Sequence, residues 1–401
     1  MSPLVNACLG VVLSLFIVVG DAQVLKAGAY DTTPQLIAAA GYPVEKHRAR
    51  TEDGYILQLH RIPAGRRSAR RTSAGGKGKR AVLLTHGLLG SSGDFVLMGP
   101  DRSLAYMLAD AGYDVWMANL RGNAYTAHQT LKKTDAQFWD YSFHEHGKYD
   151  LPATIDKILN VTGLDKIMYV GYSMGTTSFF SMVAQRPEYN DKIVAFVAMA
   201  PAVYMDNIRE VATFFLKTLN PVSTMKSEGI YYFTIPSDVR EAMINGICNA
   251  RRSEQDVCLR FIYGFVGEDY EQNDWDISPL MMARFQPASW GQLEHFGKVA
   301  LTGVFTSFDG GLSTPPKPYD LKNVKVPVLL LYGENDQLTH KSQVARLARE
   351  LNSTGVLEDM KPGCLWPKLN HLDFTFARDV GKMINKPLLH SIQQLYNKYD
   401  P

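Results

Sequence analysis

The sequence predicts an α/β protein whose mostly parallel, doubly wound sheet carries a helical cap inserted late in the chain. Short apolar runs rich in β-branched and aromatic residues alternate with helix-like segments, as in parallel strands joined by crossover helices. One such run leads into a Gly-x-Ser-x-Gly pentapeptide at residues 171–175, and residues 203–310 then show helical spacing with few strand-like runs. The 401 residues, 46% of them hydrophobic, suffice for one large domain with an insertion.

The N-terminal residues 1–22 predict a signal peptide that is cleaved near Ala22. An apolar run over residues 9–19, broken only by Gly10 and Ser14, ends in small residues of the type that signal peptidase recognises. The run is too short to span a bilayer comfortably, so a retained membrane anchor is the less favoured alternative. The mature chain is predicted to comprise a first core part at 23–202, the cap at 203–310 and a second core part at 311–401.

Cysteines and glycosylation sequons agree with export. Cys248 and Cys258 flank a polar turn at a spacing suited to a disulfide that closes a small loop. Cys364 is left over, which predicts a free thiol. Asn160 and Asn352 each begin an Asn-x-Thr tripeptide, the acceptor sequence for N-glycans in a secreted chain. The predicted location is therefore extracellular, with the lysosome as the alternative.

The charge balance gives no reason to expect a nucleic-acid partner. The formal net charge is +2, too small to attract a polyanion through the field of the whole protein. Residues 66–80 hold seven basic and no acidic residues, but no aromatic side chain is present there to stack on bases. A solvated hairpin loop is favoured for this stretch over a nucleic-acid or membrane patch. The sequence indicates no obligate protein partner.

The first predicted elements follow the rhythm of a parallel sheet after an antiparallel start. The turn Asp53-Gly54 and the alternation of side chains over residues 55–62 predict an antiparallel pair at the sheet edge. The elements that follow are a buried strand at 81–85, a helix at 103–111, a strand at 113–119 and a helix at 143–159.

The pentapeptide lies where a strand meets a helix. Residues 167–170 form a buried-strand run, and residues 177–185 read as a helix. This context predicts a nucleophile elbow, the strained turn that exposes a catalytic serine in α/β-hydrolases. Ser173 would be the nucleophile, and Gly171 and Gly175 would be small because strand and helix come together there. A further buried strand is predicted at 193–200.

Two backbone amides are predicted to form an oxyanion hole. Acyl transfer needs two preorganised N–H donors, one from the residue after the nucleophile and one from a loop after an early strand. The strand at 81–85 ends in His86-Gly87, so the donors would be the amides of Leu88 and Met174. The alternative for His86 is a hydrogen-bonded residue in an ordinary turn.

The predicted cap contains many aromatic and Met residues. Such a stripe usually forms the underside of a packed helical layer. Because the insertion at 203–310 lies between late strands of the sheet, its apolar face is expected to line an acyl-chain site at the mouth of the active site.

The chain order Ser, acid, His places the remaining catalytic groups in the last hundred residues. The strand at 326–333 ends at Glu334 and Asp336, of which Asp336 is the predicted acid and Glu334 its rival. A last strand is predicted at 356–360, and His371 follows it on a loop.

The base is predicted by elimination among the histidines that follow Ser173 by more than a hundred residues. His295 precedes the acid, His340 shares the loop of Asp336, and His390 lies in the C-terminal helix. His371 is left as the base. No metal-ligand cluster or phosphate-binding loop is apparent, so no cofactor is expected.

The residues together resemble the acid lipase family, the gastric and lysosomal lipases and their insect relatives, along essentially the whole mature chain. The matching stretches are residues 41–43, 51–57, 86–89, 108–116, 148–156, 169–171 and 370–374. The resemblance implies an α/β-hydrolase fold with a cap. It also implies Ser173, Asp336 and His371 as nucleophile, acid and base, with oxyanion donors at Leu88 and Met174.

The elbow departs from the vertebrate pattern, since Tyr172 and Met174 stand where those enzymes carry His and Gln; this variant resembles insect members. Backbone donation at Met174 does not depend on the side chain. We therefore expect a secreted serine lipase that acts on apolar carboxylic esters at a lipid–water interface, triacylglycerol first and cholesteryl ester second. The alternatives are a short-chain carboxylesterase with the same triad and a non-catalytic lipid-binding protein.

Overall fold

The computed structural model describes most of the predicted mature chain. The described residues are 32–66, 79–213, 216, 221–236, 238, 240, 259–260, 262–309 and 311–401. The predicted signal peptide, Cys248, Cys258 and most of the basic stretch at 66–80 lie outside them. Within the described part of the chain, no helix combines the length and the apolar character that crossing a membrane requires.

A mixed sheet forms the centre of the molecule, and its strands run in the order β1-β2-β4-β3-β6-β7-β10-β11, with β5 beside β2. Neighbours from β4 to β11 are parallel, whereas β1, β2 and β5 form antiparallel pairs and β2 also joins β4 antiparallel. The strands are β1 (Glu45–Arg50), β2 (Tyr55–Ile62), β3 (Ala81–Thr85), β4 (Asp114–Met117), β5 (Thr126–His128), β6 (Ile167–Tyr172), β7 (Ile193–Met199), β10 (Val328–Tyr332) and β11 (Leu357–Pro362). The predicted doubly wound, mostly parallel sheet is confirmed.

Helices cover both faces of this sheet, as its two separate cores show. Side chains alternate along β3. Leu83 joins the core on one face, with the helices Leu151–Thr162 and Met174–Gln185, whereas Val82 and Leu84 join the core on the other face, with the helices Leu104–Asp110 and Lys386–Tyr399. The helices are α1 (Thr33–Ala39), α2 (Leu104–Asp110), α3 (Phe143–Glu145), α4 (Leu151–Thr162), α5 (Met174–Gln185), α6 (Arg209–Thr213), α7 (Pro221–Ser227), α8 (Ser278–Ala283), α9 (Trp290–Thr302), α10 (Lys341–Ser353), α11 (Asp373–Phe376) and α12 (Lys386–Tyr399).

Two helices differ from the sequence prediction. The helix expected at 143–159 contains a wide π-helical turn at His146–Asp150, between α3 and α4. Gly147 in this turn lies against α5, where an added Cβ would be 2.6 Å from the Met182 amide nitrogen. The elbow helix begins at Met174, three residues before the predicted start, because the tight turn at Ser173 leads directly into it.

The segment between β7 and β10 is mainly helical where it is described. It holds α6 to α9 and a two-stranded antiparallel sheet of β8 (Tyr232–Phe233) and β9 (Ala288–Ser289). The boundaries of the cap at 203 and 310 stay a prediction.

Three surface features have their positions fixed by the fold. Asn160 lies near the end of α4 and Asn352 near the end of α10, and both are exposed, as a glycan acceptor must be. Cys364 is a half-buried free thiol on the loop after β11. Burial raises the pKa of this thiol, which keeps it in its less reactive protonated form.

The close contact between α5 and β3 allows a direct test of the elbow packing. A Cβ on Gly175 would lie 2.3 Å from the Thr85 carbonyl oxygen, so Gly175→Ala forces helix and strand apart. We expect a loss of about 3 kcal/mol in the free energy of unfolding, measured by urea denaturation. Gly264→Ala is the control, because its Cβ meets open space and its effect should stay within about 1 kcal/mol. Equal denaturation midpoints for the two variants would contradict this account.

Candidate active site

The predicted elbow joins β6 to α5 through a strained residue. Ser173 has φ 51° and ψ −118°, a backbone conformation that non-glycine residues adopt rarely and that the surrounding packing must hold. Gly171 and Gly175 are required by close approach, because a Cβ at Gly171 would lie 2.8 Å from the carbonyl carbon of Gly175. The Thr176 amide and hydroxyl both donate to the Ser173 carbonyl, at 2.8 and 2.6 Å.

The structure brings together the three residues predicted as nucleophile, base and acid. His371 Nε2 lies 2.8 Å from Ser173 Oγ, and His371 Nδ1 lies 2.8 Å from Asp336 Oδ2. The hydroxyl donates to Nε2 while the Nδ1–H donates to the carboxylate, which is the tautomer that leaves Nε2 able to accept a proton. Ser173 follows β6, Asp336 follows β10 and His371 follows β11, so all three lie at the carboxyl edge of the sheet.

Asp336 is held as an anion by donors on its own loop. Its Oδ1 accepts the amides of Leu338 and Thr339 at 2.9 and 2.7 Å, and its Oδ2 accepts the Thr339 hydroxyl at 2.6 Å. Burial alone would raise the pKa of this carboxyl, but the His371 imidazole and the Thr339 donors outweigh it and lower the pKa below its ordinary value. Asp336 therefore stays ionised beside His371.

The rejected candidates lie elsewhere. The carboxylate of Glu334 pairs with Lys341 at 2.9 Å on the surface. His340 is a partly exposed residue that caps α10, and His390 lies within α12. His295 is buried but bonds the Ser142 hydroxyl and the Thr306 carbonyl. None of the four contacts the side chain of Ser173.

The two predicted oxyanion donors lie on either side of Ser173. Met174 is the first residue of α5, where helix amides have no intrahelical acceptor. Gly87 lies against the nucleophile, since a Cβ on it would be 3.1 Å from Ser173 Cβ. The next residue, Leu88, is followed by Leu89 at φ 60°, a tight turn closed by the Gly90 amide on the Gly87 carbonyl at 3.2 Å.

His86 fixes the direction of the Leu88 amide. Its Nδ1–H donates to the Gly87 carbonyl at 2.8 Å, and its Nε2 accepts the Leu120 amide at 3.2 Å. In a trans peptide the N–H points opposite to the C=O, so holding the Gly87 carbonyl directs the Leu88 N–H away from that ring. Burial lowers the pKa of His86 to about 4, so the imidazole stays neutral in this role. His86 is therefore a hydrogen-bonded turn residue, and the same hydrogen bonds allow it to support the predicted oxyanion loop. The two predicted alternatives are compatible.

Tyr172 links the elbow to the base loop. Its hydroxyl donates to the His371 carbonyl at 3.0 Å, and its ring packs 5.4 Å from the imidazole, centroid to centroid. The same ring contacts the oxyanion loop, since a Cβ on Gly87 would be 3.2 Å from it. Tyr172, which departs from the vertebrate elbow pattern, thus lies between the elbow, the loop of His371 and the predicted oxyanion loop.

The side chain of Met174 faces a buried amide. Its sulfur accepts from Gln292 Nε2 of α9 at 3.3 Å. The Gln292 side chain also accepts the Ser289 amide at 3.0 Å, which fixes its orientation. The predicted cap thus contacts the elbow through the side chain of Met174.

Sequence reasoning missed Thr339 and Tyr172 as supports of the site. The spacing of Asp336 and Thr339 is a usable signal, because an Asp side chain commonly accepts the amides two and three residues ahead in a turn. Tyr172 gave no such signal, since its partner His371 is 199 residues away in the chain. Among the described residues, no group of His, Cys, Asp and Glu has the geometry to hold a metal ion.

Comparisons with known families and proteins agree with this geometry. The family described as a partial α/β-hydrolase lipase region matches residues 33–99, and the α/β-hydrolase fold matches residues 80–223. Lipase 3 of Drosophila melanogaster is 38% identical, over 88% of this chain and 90% of that protein. Lipase 1 of the same species is 37% identical over 88% and 78%, and gastric triacylglycerol lipase of Bos taurus is 33% identical over 87% and 88%.

A comparison of folds gives the same architecture. The solved structure of a lipase candidate from Sulfolobus solfataricus superposes with a TM-score of 0.60 at 17% identity, covering 92% of this chain and 98% of that one. At this identity the likeness shows the fold alone. The sequence relatives show the family, because each is more than 30% identical and is spanned for over two thirds of its length. The chain therefore belongs to the family of these lipases and is a carboxylic ester hydrolase with the α/β-hydrolase fold.

Proposed function

We propose that the protein is a secreted serine lipase that hydrolyses apolar carboxylic esters through an acyl-enzyme, with triacylglycerol as the first expected substrate and cholesteryl ester as the second. The observation that carries the proposal is the hydrogen-bonded series from Ser173 Oγ through His371 to Asp336, with 2.8 Å at each step. The similarity to gastric triacylglycerol lipase of Bos taurus favours the first substrate.

In the first half-reaction, Ser173 Oγ attacks the ester carbonyl while its proton passes to His371 Nε2. Asp336 keeps the imidazole in the productive tautomer and stabilises its cationic form. His371 then gives the proton to the departing alcohol, which leaves an ester between Ser173 and the acyl group. In the second half-reaction, water attacks that ester with His371 again taking the proton, and the fatty acid is released.

The negative charge that develops on the carbonyl oxygen is stabilised by the amides of Leu88 and Met174. Each such donor contributes about 3 kcal/mol to lowering the barrier in acyl-transfer enzymes. The neutral imidazole of His86 and the start of α5 direct these amides before the substrate arrives. Little reorganisation is therefore required during the reaction.

An apolar substrate suits the surroundings of the base loop. Leu372, next to His371, packs with Met281 and Met282 of α8 and with Phe376 of α11. Only 7% of the surface of Ser173 is exposed. This burial and the apolar cluster together favour an ester that approaches beneath the predicted cap. Such contacts support a long acyl chain over a small ester.

The predicted export of the protein supports a lipid substrate outside the cell. The lysosome is the alternative location of the protein. The proposal rests on the predicted signal peptide at residues 1–22, the disulfide predicted between Cys248 and Cys258, and the exposed sequons at Asn160 and Asn352. A lipid surface would be the only partner that catalysis needs.

The identity of the acid can be tested against its rival. Asp336→Asn removes the anion that orients His371, so we expect kcat on a p-nitrophenyl ester to fall by about 10³-fold or more. Glu334→Gln changes a surface carboxylate paired with Lys341 and should leave kcat within about twofold. A large loss in the Glu334 variant with little change in the Asp336 variant would reverse the assignment.

The substrate class is tested by comparing emulsified triolein with p-nitrophenyl butyrate. Wild type should hydrolyse both, whereas Ser173→Ala should lose both activities, because the variant lacks the hydroxyl that bonds His371 Nε2 and attacks the ester. Hydrolysis of butyrate alone would indicate a short-chain carboxylesterase. Equal inertness of wild type and variant, with bound lipid, would indicate a lipid-binding protein.

Export is tested by expressing the full chain in insect cells. We expect secreted protein whose N-terminus lies just after Ala22 and whose mobility increases after removal of N-glycans. Asn160→Gln and Asn352→Gln should each abolish one part of that shift. Protein that stays in the cell with Met1 intact would contradict the proposed location.

A further inference from the structure

A short segment of the predicted cap holds the loops of both the acid and the base. We call residues 266–274 the strap. The Val266 carbonyl accepts the His371 amide at 3.2 Å, and the Gly267 carbonyl accepts the Asn370 side chain at 2.9 Å. The Glu268 carbonyl accepts the side chain of Asn335, next to the acid Asp336, at 2.9 Å. The strap therefore bridges two loops that the sheet alone brings only near one another.

The strap meets the base loop through two buried carboxyl groups. Asp269 and Asp373 are 1% and 4% exposed, and their side chains hydrogen-bond each other. Asp269 also accepts the Trp366 indole N–H and, at 3.2 Å, the Gln272 amide. Asp373 lies two residues after His371 and accepts the Asn370 amide at 2.7 Å.

A hydrogen bond between two carboxyl groups requires a proton, because two carboxylates offer only acceptors. Both oxygens of Asp269 already accept other donors, so Asp373 is the group that carries the proton and donates it. Burial, followed by the proximity of the like charge, raises the pKa of Asp373 well above its ordinary value; burial also raises the pKa of Asp269.

Few charges oppose this arrangement from neighbouring elements. Lys368, a cation that interacts with Asp269, pairs with Glu271 at the surface, and Gln272 bonds Asp379 from the other side. The other titratable groups that face the pair are Tyr172, Tyr263, Asp336 and Cys364. None of these four is a cation that would favour two ionised carboxyl groups in place of one shared proton.

We propose that Asp269 and Asp373 form a proton-sharing pair that positions His371: while the proton is present, the pair fixes the base loop to the strap, and when it is lost, the two anions repel and the base loop loosens. This positioning role rests on the proposed function, because it acts on the catalytic base. The proton sharing itself is a property of the fold. Neither carboxyl group touches the reacting atoms.

The sign of the pH effect follows from the raised pKa. A group whose pKa is higher in the folded state than in the unfolded state stabilises the fold at low pH, and this contribution is lost as the pH rises through the folded pKa. The pair should therefore hold the base loop most firmly under acidic conditions. Its loss toward alkaline pH lowers both the stability and the fraction of molecules with His371 in place.

An isosteric amide separates the proton from the hydrogen bond. Asn at 373 donates to Asp269 through its nitrogen and accepts the Asn370 amide through its oxygen at every pH, so Asp373→Asn should keep the contact without titrating. We expect kcat of Asp373→Asn relative to wild type to rise about fivefold or more from the acid to the alkaline end of the pH range over which both proteins stay folded. The comparison cancels the titration of His371, which both proteins share.

Asp379→Asn is the matched control. Asp379 also bonds the strap, but it accepts this bond from the Gln272 side-chain amide at 3.3 Å and not from a carboxyl group, so its ratio to wild type should stay flat. The unfolding temperature is measured over the same pH range, and the advantage of Asp373→Asn over wild type should grow with pH. If Asp373→Asn does not fold, Asp269→Asn is used in its place. Its amide nitrogen can donate to an ionised Asp373 but can no longer accept the bond from Gln272 or from Trp366, so only the pH dependence of its kcat ratio to wild type is compared.

The outcomes separate the inference from the proposed function. Identical pH profiles of kcat and of unfolding temperature for Asp373→Asn and wild type would overturn the proposal that Asp269 and Asp373 share a proton. A growing advantage in unfolding temperature with a flat kcat ratio would overturn the positioning role. If wild type hydrolyses no ester at all, the proposed function and the positioning role both fall, while the unfolding series still decides whether the proton is shared.

Discussion

The close approach of α5 to β3 at the elbow is the constraint on which the rest of the site depends. With Gly175 seated against the Thr85 carbonyl, the chain must turn within one residue, and Ser173 takes a conformation that other sequences avoid. The same proximity brings the loop after β3 beside the serine. The predicted nucleophile and the predicted oxyanion donors are thus brought together by the absence of a Cβ at Gly175 and at Gly87. Strain at Ser173 is tolerated because strands buried on both faces leave the turn no room to relax.

The anion of the triad, Asp336, is supplied with its own hydrogen-bond donors. Asp336 accepts three hydrogen bonds from its own loop and one from His371, so its charge needs no cation nearby. His86 is neutral in the hydrogen-bonded turn that directs the Leu88 amide. In the proposed mechanism, a fixed field of this kind would favour the ion pair formed when His371 takes the serine proton, and it would favour charge on the carbonyl oxygen.

Short-range patterns and chain order were sufficient to predict the sheet, the elbow and the positions of Ser173, Asp336 and His371. Each lies directly after a buried strand, and the carboxyl ends of parallel strands meet at one edge. The π-helical turn at His146–Asp150 and the strap were not predictable in this way. The π-helical turn at Gly147 accompanies its close packing against α5. Asp269 acquires its role only through Asp373, which lies 104 positions later. Such contacts depend on tertiary packing that a single sequence does not display.

The hydroxyl of Tyr172 has a consequence for motion. The nucleophile belongs to the end of β6 and the base to a loop after β11, and these are not neighbouring strands in the sheet. Independent fluctuation of the two would vary the Ser–His separation, on which proton transfer depends steeply. Because Tyr172 precedes the nucleophile and bonds the carbonyl of His371, its hydroxyl couples the end of β6 to the base loop. We therefore expect flexing of the sheet to move Ser173 and His371 together, with little change in the distance between them.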